Sequence, residues 1–361
     1  MKKAVPIIVT VIAVFLLFPV SASAVGEDIL DELESIIPPE SGVDMSEIEK
    51  DGMLGIDGIF YEVLAAFNGA KGQIVSFFFA VFGVAVLLSI HASATDLMGS
   101  GLGGATSSGV LTLASVSIFS SLFGVCQSLK EGLAALVSFF GGVIPVMSAV
   151  NASSGAVSSA AVQAANMNIT LAFIERFSVD ALLPISLTVF TLTFIGAVGD
   201  SEAVLSIGRG VKSFFTWGIG IISTVLAAVI SIQSVVASAA DSAALRAARY
   251  AASGTIPVVG STVASALATL GGGMAVIKGT VGGVSVAVIL AVTLSPLIML
   301  LMYRLSISVS IGLLQFSGST GGVRCFSAIR SALDALIAVY SMSVLVAIVE
   351  LVVFIKGGVT P

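Results

Sequence analysis

Apolar runs of membrane-spanning length, punctuated by short charged or small-residue segments, set the plan of this chain. A helix crosses a bilayer with about 20 apolar residues. The first run, 73–90, carries Phe77, Phe78, Phe79 and Phe82 and gives way to a glycine-bearing polar segment, 91–108, that reads as a flexible loop. A second run, 109–128, ends at Lys130 and Glu131, whose charges mark an interface, and a third follows at 133–150. Residues 151–168 are small and polar, with Asn151, Ser153, Ser154, Gln163, Asn166 and Asn168. Small side chains let membrane helices approach closely, and amides bond across the contact. The stretch 169–199 is too long for one simple span and is interrupted by Glu175, Arg176, Asp180 and Pro184, which predicts two helical pieces or a tilted broken helix. Residues 200–212 alternate charge with apolar positions, as a surface helix does. The next span is 214–234, with Trp217 as an interfacial anchor. Small-residue helices are expected at 237–253 and 262–283, a span at 284–302, an amphipathic piece at 306–316, a glycine loop at 318–322 and a last span at 334–355.

The prolines add a second pattern. Between position 40 and the C-terminal residue there are four, and they form two pairs: Pro145 with Pro184 and Pro257 with Pro296, each 39 residues apart. Pro145 and Pro257 sit in similar hexads, Gly142-Val143-Ile144-Pro145-Val146-Met147 and Gly254-Thr255-Ile256-Pro257-Val258-Val259, and Pro184 and Pro296 in apolar runs. An offset of 112 residues superimposes one pair on the other. Proline removes a backbone donor and obstructs the preceding helical turn, so equal spacing of all four points to an internal duplication. The predicted fold is an all-α polytopic membrane protein of about 6–8 membrane helices or re-entrant segments. An even number of crossings per repeat makes the duplication parallel rather than inverted.

Composition fixes the class. Hydrophobic residues make up 57% of the 361, charged ones 10%, and mean hydropathy is +1.13, outside the soluble range. Lys2 and Lys3, an apolar 4–20 and Ala22-Ser23-Ala24 form a secretory signal pattern, with an uncleaved anchor as the alternative. Residues 26–62 hold twelve of the 21 acidic residues and one basic residue, Lys50. They form either a solvated spacer or a docking segment. The net charge of −6 comes from this tail, since the body carries twelve basic and nine acidic residues, and it gives no indication of nucleic acid. The expected division is a signal peptide at 1–24, an acidic extracytoplasmic segment at 25–70, a first span and loop at 71–108, repeats at 109–212 and 213–330, and a final span and tail at 331–361. Arg209, Lys212, Arg324 and Arg330 on the cytoplasmic side agree with the positive-inside rule, whereas Lys130, Arg246, Arg249 and Lys356 would lie outside.

Candidate chemistry is sparse. Cys126, Cys325 and the lone His91 give no metal spacing and no disulfide framework. No nucleotide-binding motif and no nucleophile–base pair is present, so no catalytic residue, metal ligand or cofactor site is expected. Intramembrane charges cost about 2.5–3.5 kcal/mol each at a helix centre, and Glu175, Arg176, Asp180, Lys278 and Glu350 are the candidates. Arg176 and Asp180, four apart, could neutralise each other on one face; Lys278 and Glu350 lack a partner nearby in sequence. Irregular backbone at membrane depth occurs only inside protein or along a water-filled cavity. The two Ile-Pro-Val segments with their following small residues therefore mark either a path, at Pro145, Asn151, Asn166, Pro257 and Lys278, or simple kinked packing. Pro184 and Pro296 are expected helix kinks.

Several of these segments resemble the stage III sporulation protein AE family. They are Ile144-Pro145 with Ser153-Ser154-Gly155-Ala156-Val157-Ser158, Val229-Ile230-Ser231-Ile232-Gln233, residues 241–249, Ile256-Pro257-Val258-Val259-Gly260, and Lys278-Gly279-Thr280-Val281-Gly282. The resemblance runs from about residue 73 onward. It implies a non-enzymatic, multi-pass component of a channel complex between mother cell and forespore, seated in the mother-cell-derived membrane around the forespore. The implied partners are other membrane proteins of that complex, a cytoplasmic ATPase and a forespore-side ring. A self-contained secondary transporter and a scaffold that recruits ring-forming partners are the alternatives. The family brings no catalytic residues to carry over.

Overall fold

The computed structural model describes residues 56–356, apart from 99, 154–155, 177–179, 181–182, 200 and 256–259. The described residues form seven helices: α1 (Ile56–Met98), α2 (Ser100–Ser153), α3 (Val157–Phe173), α4 (Leu183–Val198), α5 (Glu202–Thr255), α6 (Gly260–Phe316) and α7 (Thr320–Lys356). Six segments are long and apolar enough to cross a membrane, and α4 carries a shorter apolar stretch. The protein is an all-α polytopic membrane protein.

The helices are longer and fewer than the hydropathy pattern suggests, because lipid removes the alternative of pairing backbone groups with water. The expected loop at 91–108 is helical on both sides of position 99. The separate pieces expected at 200–212, 214–234 and 237–253 are one helix, α5, and those from 262 to 316 are one helix, α6. Pro145 does not turn the chain: it sits on an exposed face inside α2, which runs on to Ser153, and the Ala156 amide then donates to the Asn151 carbonyl ahead of α3. The break expected within 169–199 is present, since α3 loosens into a π-helical turn at 174–176 and α4 begins at Leu183. Pro184 then occupies the first turn of α4, where its missing N–H has no role, whereas Pro296 lies inside α6. The trailing prolines thus stand in different local structures. Pro257 and the signal-peptide pattern lie outside the described residues.

The core is built on α6 and α7. They are antiparallel, with Arg304 paired to Asp334 and the Tyr340 hydroxyl donating to the Thr293 carbonyl. Their link is short. Gly318 at φ 73° lets the Ser319 amide reach Leu314 O and the Gly318 amide reach Gln315 O, a Schellman closure that ends α6 and starts α7. On the other side, α1 runs parallel to α6, tied by Phe77 stacked on Tyr303 at 3.7 Å and by Ser317 donating to Ser89. α2 packs on α1 and α6, and α3 leans on α2 and α5. α4 and α5 close the bundle against α7. α5 keeps an apolar outer face, Phe214, Trp217, Ile221, Val225 and Val235, open to the surroundings; in a bilayer that face meets acyl chains.

Candidate functional site

The polar residues of the α2/α3 hairpin lie inside the bundle. On α3, Ser159, Gln163, Asn166 and Thr170 follow one another at spacings of four, three and four, which places them on a single helical stripe, and all are buried. Asn151, on the last turn of α2, is also buried and donates through Nδ2 to Gln163 Oε1 at 2.8 Å. A polar group moved from water into an apolar interior needs a partner to offset lost hydration, and this bond supplies one for each amide. Other groups on the same seam have no hydrogen-bond partner among the described residues: Ser148 Oγ, Gln163 Nε2, Asn166 Nδ2 and Thr170 Oγ1. Of the path candidates, Asn151 and Asn166 therefore come together on this seam. Pro145 faces away on the outside of α2, and Lys278 lies within α6, with its side chain outside what the structure describes.

The charged candidates divide sharply. Glu175, Arg176 and Asp180 are exposed, at or just after the π turn. The expected pairing of Arg176 with Asp180 does not form among the described residues. A change from i→i+4 to i→i+5 winding moves residues four apart off a common face. Glu350 is the opposite case: it is fully buried on α7, and neither carboxyl oxygen has a partner among the described residues.

A second, tighter site was not legible in the sequence. Pro296 lies inside α6, and in the turn before it the Thr293 carbonyl accepts from the Tyr340 hydroxyl at 3.2 Å. Gly132 of α2 makes room: a Cβ there would lie 3.0 Å from Tyr340 Oη and 3.3 Å from Pro296 Cγ. Three helices thus meet at one intrahelical proline, with a neighbouring side chain bonding the backbone beside it. Nearby, Lys212 Nζ donates to Ser331 Oγ at 2.8 Å and interacts electrostatically with Asp334, Arg304 and Arg330. The two basic elbows expected from the sequence therefore meet across α5 and α7. No cluster of His, Cys, Asp or Glu among the described residues could hold a metal ion.

The sequence profile of the stage III sporulation protein AE family matches residues 45–358. The chain belongs to the stage III sporulation protein AE family. Stage III sporulation protein AE of Bacillus subtilis (strain 168) is 24% identical over 232 residues, 63% of this chain and 57% of the relative. The matched region thus spans a little over half of that relative's length. No solved structure matches. Together with the six apolar helices, the match makes this member of the stage III sporulation protein AE family a multi-pass membrane component of a sporulation system.

Proposed function

We propose that this protein is a non-enzymatic core of a secretion-like channel between mother cell and forespore, seated in the mother-cell-derived membrane around the forespore. Its partners in this reading are other membrane proteins of the same complex, a cytoplasmic ATPase and a forespore-side ring. The observation that carries it is the buried polar seam of the α2/α3 hairpin in a member of a sporulation family. Polar groups enclosed between membrane helices without partners are the usual lining of a path or of a contact completed by another subunit. The path belongs to Asn151, Gln163 and Asn166 rather than to the face bearing Pro145.

The reading is tested by affinity purification of the full chain from sporulating cells, followed by solute flux in liposomes. Co-purification of membrane partners, with flux only when they are present, is the expected result. Flux through the isolated protein would favour a secondary transporter instead, a reading supported by the enclosed Glu350 and the broken α3–α4 segment. Assembly of partners without flux in either preparation would leave a scaffold.

A further inference from the structure

The polar contacts between α5, α6 and α7 converge on Lys212. Its Nζ donates to Ser331 Oγ at 2.8 Å, and it lies in the field of Asp334, Arg304 and Arg330. Arg304 in turn donates through Nε to Asp334 Oδ1. On α7, Arg330, Ser331 and Asp334 share one face, since Asp334 is four residues from the first and three from the second. The group thus counts three cations, one from each helix, against one carboxylate, an excess of two positive charges. It is reachable from outside the bundle: the Arg304 and Asp334 side chains keep 23% and 32% of their surface exposed, and Lys212, Arg330 and Ser331 are half-buried. Arg209, by contrast, is exposed on α5 and pairs with Glu202.

Like charges held this close repel, and water screens them less at a half-buried site than at an open surface. Asp334 offsets one of the three. Donors also remain. An ammonium carries three N–H groups and a guanidinium five, while the bonds to Ser331 and Asp334 engage one donor of Lys212 and one of Arg304. Ser331 Oγ accepts from Lys212, which leaves its hydroxyl hydrogen to donate. Arg330 forms no ion pair among the described residues. The cluster also closes the charge-free runs of two helices, 213–240 on α5 and 335–349 on α7. Cations at the end of an apolar run stand where a bilayer presents its headgroups. A guanidinium fork takes phosphate oxygens two at a time, and an ammonium adds a point charge. We infer that Lys212, Arg304 and Arg330, with the Ser331 hydroxyl, bind a phosphate oxyanion at the junction of α5, α6 and α7. Two excess positive charges suit the paired phosphodiesters of a cardiolipin headgroup and free inorganic phosphate alike. The site lies apart from the α2/α3 seam, so it and the channel reading stand or fall separately.

The test uses the purified full chain in phosphatidylcholine nanodiscs. Its thermal midpoint is followed as cardiolipin replaces part of the phosphatidylcholine, and separately as inorganic phosphate replaces chloride at constant ionic strength. The wild type should show a saturable rise in at least one series. A rise with cardiolipin alone identifies a lipid headgroup, a rise with phosphate alone identifies a soluble ligand, and a rise in both marks a site open to either. Arg330→Gln removes one cation without breaking the Arg304–Asp334 pair and should weaken apparent affinity about tenfold, the loss expected for one charged hydrogen bond. Arg209→Gln, outside the cluster, should leave the affinity unchanged. Absence of a response in both series overturns the proposal. So does an equal loss in Arg209→Gln and Arg330→Gln, which would reduce the effect to general surface charge. Should Arg330→Gln fail to fold, Lys212→Gln decides, and an unchanged affinity in that folded variant sinks the site.

Discussion

Tyr340 carries more of the structure than its single hydroxyl suggests. The group is fully enclosed, and its hydrogen bond to the Thr293 carbonyl serves the turn that Pro296 disturbs. Removing a buried hydroxyl while its acceptor stays costs about 1–3 kcal/mol, so Tyr340→Phe should lower the thermal midpoint of the purified protein without changing its oligomeric state. Gly132→Ala should destabilise by a similar amount, about 1–3 kcal/mol through overpacking, because the new methyl would press on Tyr340 Oη and Pro296 Cγ. Combining the two should be less harmful than their sum, since Tyr340→Phe removes one of the atoms that the methyl meets. The Asn151–Gln163 pair gives a parallel case. Gln163→Leu alone leaves Asn151 Nδ2 without that acceptor and should cost about 1–3 kcal/mol, whereas Asn151→Leu with Gln163→Leu should regain part of the loss. A double-mutant cycle on thermal midpoints checks it, and strict additivity would remove the bond from the account.

At the scale of the elements, helix ends were harder to place than helices. Apolar runs predict helices here because lipid leaves the backbone no other partner. The same constraint carries helices straight through glycines and prolines that would punctuate a soluble chain, which is why 91–108 and Pro145 misled. The loop expected at 318–322 is present only as the turn at 317–319, since α7 already starts at Thr320; Gly318 adopts φ 73° there, a region open to glycine at little cost. Gly318→Ala should destabilise the α6/α7 turn by about 1–2 kcal/mol. Pro145→Ala should be neutral or slightly stabilising, since the side chain is exposed and the helix would regain an amide donor. The polar stripe of α3 could have been read from the spacing of Ser159, Gln163, Asn166 and Thr170 once the segment was taken as one helix. The enclosure of Glu350 could not, because it depends on which helices pack around the end of α7.

For the whole molecule, the registers align charges that are far apart in sequence. Arg304 pairs with Asp334, Lys212 reaches Ser331, and Arg330 lies within their field. Arg304 and Lys212 both meet one carboxylate, so Asp334 holds the group together. Asp334→Asn should destabilise by about 1–3 kcal/mol and loosen α5 from α7, read as faster proteolysis between α4 and α5 in nanodiscs. On this side, α5, α6 and α7 are fastened by polar contacts; further along, the joint of Gly132, Pro296 and Tyr340 locks α2 to α6 and α7. Among the described residues α3 and α4 hardly touch each other, and α3 ends in a π-helical turn. Gly132, Pro296 and Tyr340 thus act as a rivet through three helices, and a fault at any one of them is felt by all three.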